Sequence, residues 1–347
     1  MERKIKLSIL DQSPIRKGGT ARQAIEETLQ LAQLAERLGY TRFWVSEHHN
    51  ISSLAGSTPE VLLARIGSVT RRIRIGSGGI MLPNHSALKV AENFRMLETL
   101  FPGRIDLGMG RAPGGDRITA SLLNPTNTFS DKDFMQQLYD LQGYLNDESD
   151  PGSLQARVKA IPITDTVPEL WLLSSSGQSA LFAAHFGMAF SFAHFINPKG
   201  GTESVKAYCQ YFKPSDQWPK PQASVAIFVF CSETEAKARQ MQALMEHRML
   251  RLEQGIIEGF GPYEEIRAYS YSAQEQARIE HNRQRMISGT PEQVKQKMTE
   301  LAEQYGVDEI VAVTITYDFA DRIRSYELLA EAFELNPAEE GIRMDAR

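Results

Sequence analysis

The chain has 347 residues, of which 42% are hydrophobic and 23% charged, and a net charge of −5. That is enough apolar material for one large or two average domains, and it excludes a disordered or low-complexity chain. The acidic balance, with no basic run beyond Arg71-Arg72 and their neighbour Arg74, argues against a nucleic-acid partner.

Cys209 and Cys231 lie far apart without CxxC spacing, which argues against zinc and for a reducing, cytoplasmic compartment. The apolar run at residues 5–10 is too short for a signal peptide, and no stretch reads as a membrane span. In chain order, strand patterns then alternate with helix patterns. Residues 6–10 read as a strand, and Thr20 caps a helix whose Ala24, Leu31, Leu34, Ala35 and Leu38 keep helical spacing up to Gly39. Residues 43–46 are the second strand. Pro59 stands at the first position of the next helix, where its missing N–H costs nothing. Residues 73–82 and 104–109 are strands three and four, separated by a helix over 86–100 and followed by one over 131–145.

After an irregular stretch at 147–168 the rhythm resumes. Strands at 170–174, 188–192 and 223–231 alternate with helices at 179–186, 202–212 and from Glu233 onward. Residues 255–286 are rich in Gly, Tyr and charge without a clean period, and read as an insertion. Thr290-Pro291-Glu292-Gln293 is a capping box, 309–314 the eighth strand and 321–333 the last helix. Eight strands in this alternation predict a (β/α)8 TIM barrel, one domain over 1–347. A doubly wound open sheet satisfies the same strand count.

Three clusters fall at strand ends, where a barrel does its chemistry. In Glu47-His48-His49, adjacent residues on extended backbone point to opposite sides, so the two histidines are poorly placed to chelate one metal. One imidazole facing the mouth suits proton transfer near pH 7; the other reading is a histidine satisfied by a backbone carbonyl. Gly76-Ser77-Gly78-Gly79 lies within a strand, which marks close approach of a ligand or backbone. Neither this run nor Gly108-Met109-Gly110-Arg111-Ala112-Pro113-Gly114 completes a dinucleotide fingerprint. Ser174-Ser175-Ser176-Gly177-Gln178-Ser179 leads into a helix, and with Arg111 it reads as a phosphate cradle or as simple serine capping.

These runs, together with Pro102-Gly103-Arg104-Ile105-Asp106-Leu107 and Ser288-Gly289-Thr290-Pro291-Glu292, resemble the bacterial luciferase-like flavin monooxygenases in order along nearly the whole chain. The resemblance implies a (β/α)8 barrel with flavin in its mouth. It puts His48 in the place of the active-site histidine with Glu47 before it. Gly78 and Gly79 match the pair joined by a non-proline cis peptide beneath the flavin ring. Arg111, Ser175, Ser176, Gly177, Gln178 and Ser179 match the flavin phosphate contacts, away from the usual barrel phosphate site after strands seven and eight. Gly110 stands where luciferases carry a reactive cysteine and Ser175 where they carry a glutamate, which weakens any expectation of light emission.

The resulting expectation is a monooxygenase using reduced FMN and dioxygen on a small organic substrate. The chain carries no nicotinamide motif, so a separate flavin reductase supplies the reduced flavin. The rivals are hydride transfer with FMN or a deazaflavin, a flavin-binding protein without catalysis, and a metal-dependent barrel hydrolase, against which the adjacent histidines argue. Pocket walls are expected from Asp11-Gln12-Ser13, 114–127 and 255–286, the last as a lid. The resemblance also implies a homodimer through the helices at 58–70 and 86–100.

Overall fold

The computed structural model describes residues 4–259 and 261–336. β1 (Lys6–Asp11) leads to α1 (Ala21–Leu38), where Thr20 Oγ1 accepts the Gln23 N–H at 3.2 Å and Gly39 ends the helix at φ 85°. β2 (Arg42–Val45), α2 (Pro59–Val69), β3 (Arg74–Met81), α3 (Ala87–Leu100) and β4 (Ile105–Gly110) follow. Two helices, α4 (Arg117–Leu123) and α5 (Asp131–Asn146), stand between β4 and β5 (Glu169–Ser174). The chain continues as α6 (Gly177–Phe186), β6 (Ala189–Ala193), α7 (Gly201–Tyr211), β7 (Ala223–Cys231) and α8 (Glu235–Glu253). It ends as α9 (Tyr263–Ile266), α10 (Ala273–Arg283), β8 (Met286–Gly289), α11 (Pro291–Tyr305), β9 (Glu309–Val313) and α12 (Phe319–Ala332).

β1 to β7 pair in sequence, all parallel, and β9 pairs with both β7 and β1, so eight strands close into a ring. The open-sheet alternative is thereby excluded, and the (β/α)8 barrel holds. β8 is a ninth strand. It pairs with Phe228–Cys231 of β7, beyond the residues Ala223–Ala226 that β6 takes. The sequence reading missed it and ran the insertion up to Met286, because four residues are too few to show a period.

Continuous apolar runs such as β7 and β9 are buried on both faces, as parallel strands covered by helices require. One apolar core lies between strands and helices. A second fills the ring, with Leu10, Trp44, Trp171, Ala226, Phe228, Val311 and Val313. The N-terminal end of the ring is closed by charge rather than apolar surface. Arg42 Nη1 donates to Asp106 Oδ2 and Arg42 Nε to Glu309 Oε1, each at 2.7 Å, and Arg74 Nε donates to Asp106 Oδ1 at 2.8 Å. The Arg42 guanidinium also lies 4.5 Å from the Trp171 ring centre. Paired in this way, Arg42, Asp106 and Glu309 lie buried with their charges matched.

In the insertion, α10 is tied to α8 by Arg278, whose Nε and Nη2 reach the two Glu253 oxygens at 2.6 and 2.7 Å. Tyr263 and Ile266 of α9 pack against the inner apolar core. Among the described residues no helix is long and apolar enough to cross a membrane.

Candidate active site

A cavity of about 630 Å³ opens at the C-terminal end of the barrel, within the roughly 300–1,000 Å³ of small-molecule sites. Its floor is apolar: Leu10, Trp44, Leu173, Ala226 and Val311 meet the Gly78-Gly79 pair. The peptide bond between these two glycines is cis, and the β3–β4 register shifts there. A Cβ on Gly79 would lie 2.7 Å from Gly108 O, and one on Gly78 would lie 2.8 Å from Leu10 Cδ1. At Gly79 the backbone leaves no room for a side chain, and at Gly78 Leu10 would have to shift, which gives the strand glycines their physical reason.

One end of the cavity is polar. Ser174, Ser175, Ser176, Gln178 and Ser179 line it, and so does Arg111; Gly177 begins α6 without facing the space. Ser176 holds the N-cap position in extended conformation, yet its side chain makes no capping bond to α6. Ser179 Oγ is buried, in a residue only 1% exposed, and has no hydrogen-bond partner among the described residues. A free helix N-terminus, an orphaned hydroxyl and a guanidinium converge, which is a donor set for an anion. Simple serine capping does not account for it. The residues fit a flavin phosphate.

Arg111 does not point into open space. Its Nη1 pairs with Asp131 Oδ1 and donates to Gln178 Oε1 at 3.1 Å, while Gln178 Nε2 donates to Asp131 Oδ2. Asp131, at the start of α5, also lines the cavity. The sequence reading treated it only as a helix start.

The Glu47-His48-His49 cluster sits beside the cavity rather than in its wall. Glu47 is fully buried, and its Oε1 lies 2.6 Å from His49 Nε2 and 2.9 Å from His85 Nε2. Its Oε2 accepts the Met81 N–H at 2.9 Å, and Met81 lines the cavity. Burial works against the Glu47 carboxylate, but hydrogen bonds from His85 and His49 outweigh it and hold its pKa below the usual range. Burial likewise opposes the charged form of His85, and Glu47 outweighs it, so that pKa is raised. The three ligand-type atoms lie within 4.8 Å of one another. The separations of 2.6 and 2.9 Å are hydrogen bonds, shorter than the roughly 3.3 Å between ligands around a metal at about 2.0–2.1 Å.

His48 turns the other way. Its Nδ1 lies 3.0 Å from Ser46 Oγ and its backbone N–H reaches Gly56 O at 2.8 Å. Burial pushes its pKa down to about 4, against the pull of the Glu47 charge, so the ring is neutral at pH 7. Neither adjacent histidine lines the cavity.

The expected walls are corrected as well. Asp11 pairs with Arg322 of α12 and accepts Thr28 Oγ1–H at 2.5 Å, Ser13 is buried with it, and none of residues 11–13 lines the cavity. Among the described residues of 255–286 none lines the cavity, because α9 and α10 pack on α8 and the inner core. Arg117 and Ala120 come from the 114–127 segment, and Phe129, Phe195 and Ile196 complete the rim. Sequence signals for these rim residues were absent, since each lies in a loop or short helix without a period.

A family model described as luciferase-like monooxygenase matches residues 5–309. The protein YwcH of Bacillus subtilis (strain 168) is 52% identical over 330 residues, covering 95% of this chain and 99% of its own. The N-acetyl-S-alkylcysteine monooxygenase of the same organism is 36% identical over 330 residues, covering 94% of this chain and 98% of its own. The crystal structure of apo-MsnO8 superposes with a TM-score of 0.89 at 37% identity, over 96% of this chain and 100% of that one. A match across most of the barrel, with relatives of full length, means that the chain belongs to the luciferase-like monooxygenase family.

Proposed function

We propose that the protein is a monooxygenase that takes reduced FMN from a separate flavin reductase and uses dioxygen to oxidise a small organic substrate. One observation carries the reading: an apolar cavity of about 630 Å³ ends in an anion cradle with an orphaned, buried Ser179 hydroxyl. Ser176, Gln178, Ser179 and Arg111 hold the phosphate, and the apolar floor from Trp44 to Val311 takes the uncharged part of the ligand. Bound there, reduced FMN supplies the electrons and the oxygen chemistry, and the protein orients it and limits water. Gly78 and Gly79 let the floor lie flat without side chains. Glu47 fixes the wall through the Met81 N–H. Proton handling is assigned to His48 on the family resemblance; it lies behind the residues that line the cavity, neutral at pH 7 with its Nδ1 against Ser46.

N-acetylated S-alkylcysteines are the first substrates to test, because a relative 36% identical bears that name. The protein works as a homodimer through α2 and α3, where Val61, Met96 and Leu100 are 70%, 50% and 53% exposed.

The test is titration with FMN and with riboflavin, followed by flavin fluorescence. FMN binds more tightly than riboflavin, and Arg111→Ala costs FMN about 2–3 kcal/mol while leaving riboflavin unchanged. Equal loss for both flavins, or none for either, removes the phosphate assignment. Reduced FMN, labelled dioxygen and substrate then give a product carrying the label. Substrate oxidation that needs no oxygen would instead support hydride transfer.

A further inference from the structure

The cradle holds an anion of its own. Arg111 lies past the end of β4, Asp131 opens α5 and Gln178 is the second residue of α6, so three separate elements close one side-chain triangle. Every member lines the cavity at its polar end. Arg111 Nη1 pairs with Asp131 Oδ1, and Gln178 gives its oxygen to Arg111 and its amide hydrogen to Asp131 Oδ2. One donor nitrogen of each of these two side chains, Arg111 Nη1 and Gln178 Nε2, is therefore engaged by a carboxylate. Ser179 Oγ, on the same helix, has no partner among the described residues and is a donor left over.

We infer that Asp131 is a displaceable competitor for the phosphate subsite, an internal anion that an incoming phosphate must push off Arg111 and Gln178. The inference rests on the flavin reading above and adds a consequence to it. A phosphate bound by Arg111 lies beside a carboxylate of like charge, so each binding event breaks one ion pair and sets two anions side by side. Such a site exchanges its ligand instead of keeping it. That suits a flavin delivered by another protein and released after each turnover. Asp131 sits at a helix N-terminus, which stabilises its charge once it swings free, so the displaced state is accessible. Arg111 and Asp131 side chains are 32% and 48% exposed, which leaves room for that swing.

The test compares the wild-type protein with Asp131→Asn, which keeps size and hydrogen-bonding reach but removes the charge. FMN and riboflavin are titrated by fluorescence, and inorganic phosphate is titrated alone by its effect on thermal unfolding. Asp131→Asn should bind FMN and inorganic phosphate about tenfold more tightly, with riboflavin unchanged within twofold, and should release FMN more slowly in stopped-flow dilution. Unchanged or weaker binding of both FMN and phosphate overturns the inference, since Asp131 would then only position Arg111. Tighter phosphate binding in the variant, with no flavin bound by either protein, keeps Asp131 as the competitor and removes the flavin reading. FMN bound equally by both proteins does the reverse.

Discussion

Trp44 donates its indole Nε1–H to Asp106 Oδ2 at 2.8 Å, which ties the floor of the cavity to the ionic plug at the opposite end of the ring. Asp106 is fully buried and also receives Arg42 and Arg74, so one carboxylate satisfies three donors from β2 and β3. Trp44 in turn meets Trp171 edge-on, with ring centres 5.2 Å apart. Asp106→Ala leaves the Trp44 N–H and part of the Arg42 charge buried without an acceptor. The expected cost is about 3–5 kcal/mol in urea unfolding. Because the damage reaches the floor and not the cradle, FMN and riboflavin should weaken together in that variant. Selective loss of FMN would show that the plug and the floor are not coupled.

His48 gives a stability prediction whose sign follows from its burial. Its folded pKa, about 4, lies below the ordinary 6.5, so the unfolded chain binds the proton first as pH falls. The contribution is fully present above pH 6.5 and is lost progressively between there and about 4. At pH 5 the loss is about 2 kcal/mol relative to pH 7.5, from a shift of 1.36 kcal/mol per unit. Glu47 pulls the other way and Arg248 and His49 push with the burial, so all three are held constant by comparing with His48→Gln. Urea unfolding at both pH values should show the wild type losing that amount relative to the variant. Parallel behaviour would mean that His48 titrates normally in the folded protein.

The parts of the site that were legible in the sequence are those built on strands. Phe43-Trp44-Val45 ends at a polar cluster because a doubly buried strand must stop where it meets water, and Gly78-Gly79 interrupts a strand where a side chain would be crowded. The Ser174 to Ser179 turn was legible for a similar reason, since serines and glycine before an apolar helix mark an open N-terminus. What could not be read were the returns. His85 reaches Glu47 from 38 residues away, and Asp131 reaches Gln178 across 47. Nothing in a local pattern says which loop folds back over which strand end. Asp11 failed in the opposite sense. It stands at a strand end as a site residue would, but Arg322, from the far end of the chain, uses its charge for structure.

The exposed apolar face of α2 and α3 is the basis of the next expected outcome. Val61 on α2 and Met96 and Leu100 on α3 present large side chains to solvent, where a barrel helix ordinarily carries charge. Val61→Glu combined with Met96→Glu should convert a dimer to a monomer in light scattering at micromolar concentration. Neither residue touches the cavity, so FMN affinity per chain should stay within twofold. A wild-type protein that is already monomeric under those conditions contradicts the proposed assembly.

The insertion after β7 gives the last prediction, and its anchoring divides it in two. α10 is held to α8 by the paired Arg278–Glu253 bonds and by Arg283 on Glu246 at 2.8 Å. The leading part is held more lightly. Gly255 turns at φ 78°, Lys17 reaches Glu265 at 2.7 Å on the surface, and Tyr271 Oη lies 3.0 Å from His247 Nδ1. An exposed ion pair contributes little, about 0–1 kcal/mol, so α9 can leave its seat without unfolding α10. Oxygen chemistry in the cavity needs water excluded, and α9, which rests Tyr263 and Ile266 on the inner core without lining the cavity, would have to shift to cover the mouth. Hydrogen exchange should therefore fall over 261–272 when reduced FMN and substrate are bound anaerobically, with 273–283 unchanged. Equal, strong protection of both parts in the free and loaded protein would make the insertion a fixed buttress of α8. In the lid case, Lys17→Ala should raise exchange in α9 and increase the hydrogen peroxide released per oxygen consumed, while FMN affinity holds. A variant that loosens α9 without changing that ratio would separate the motion of the segment from the protection of the site.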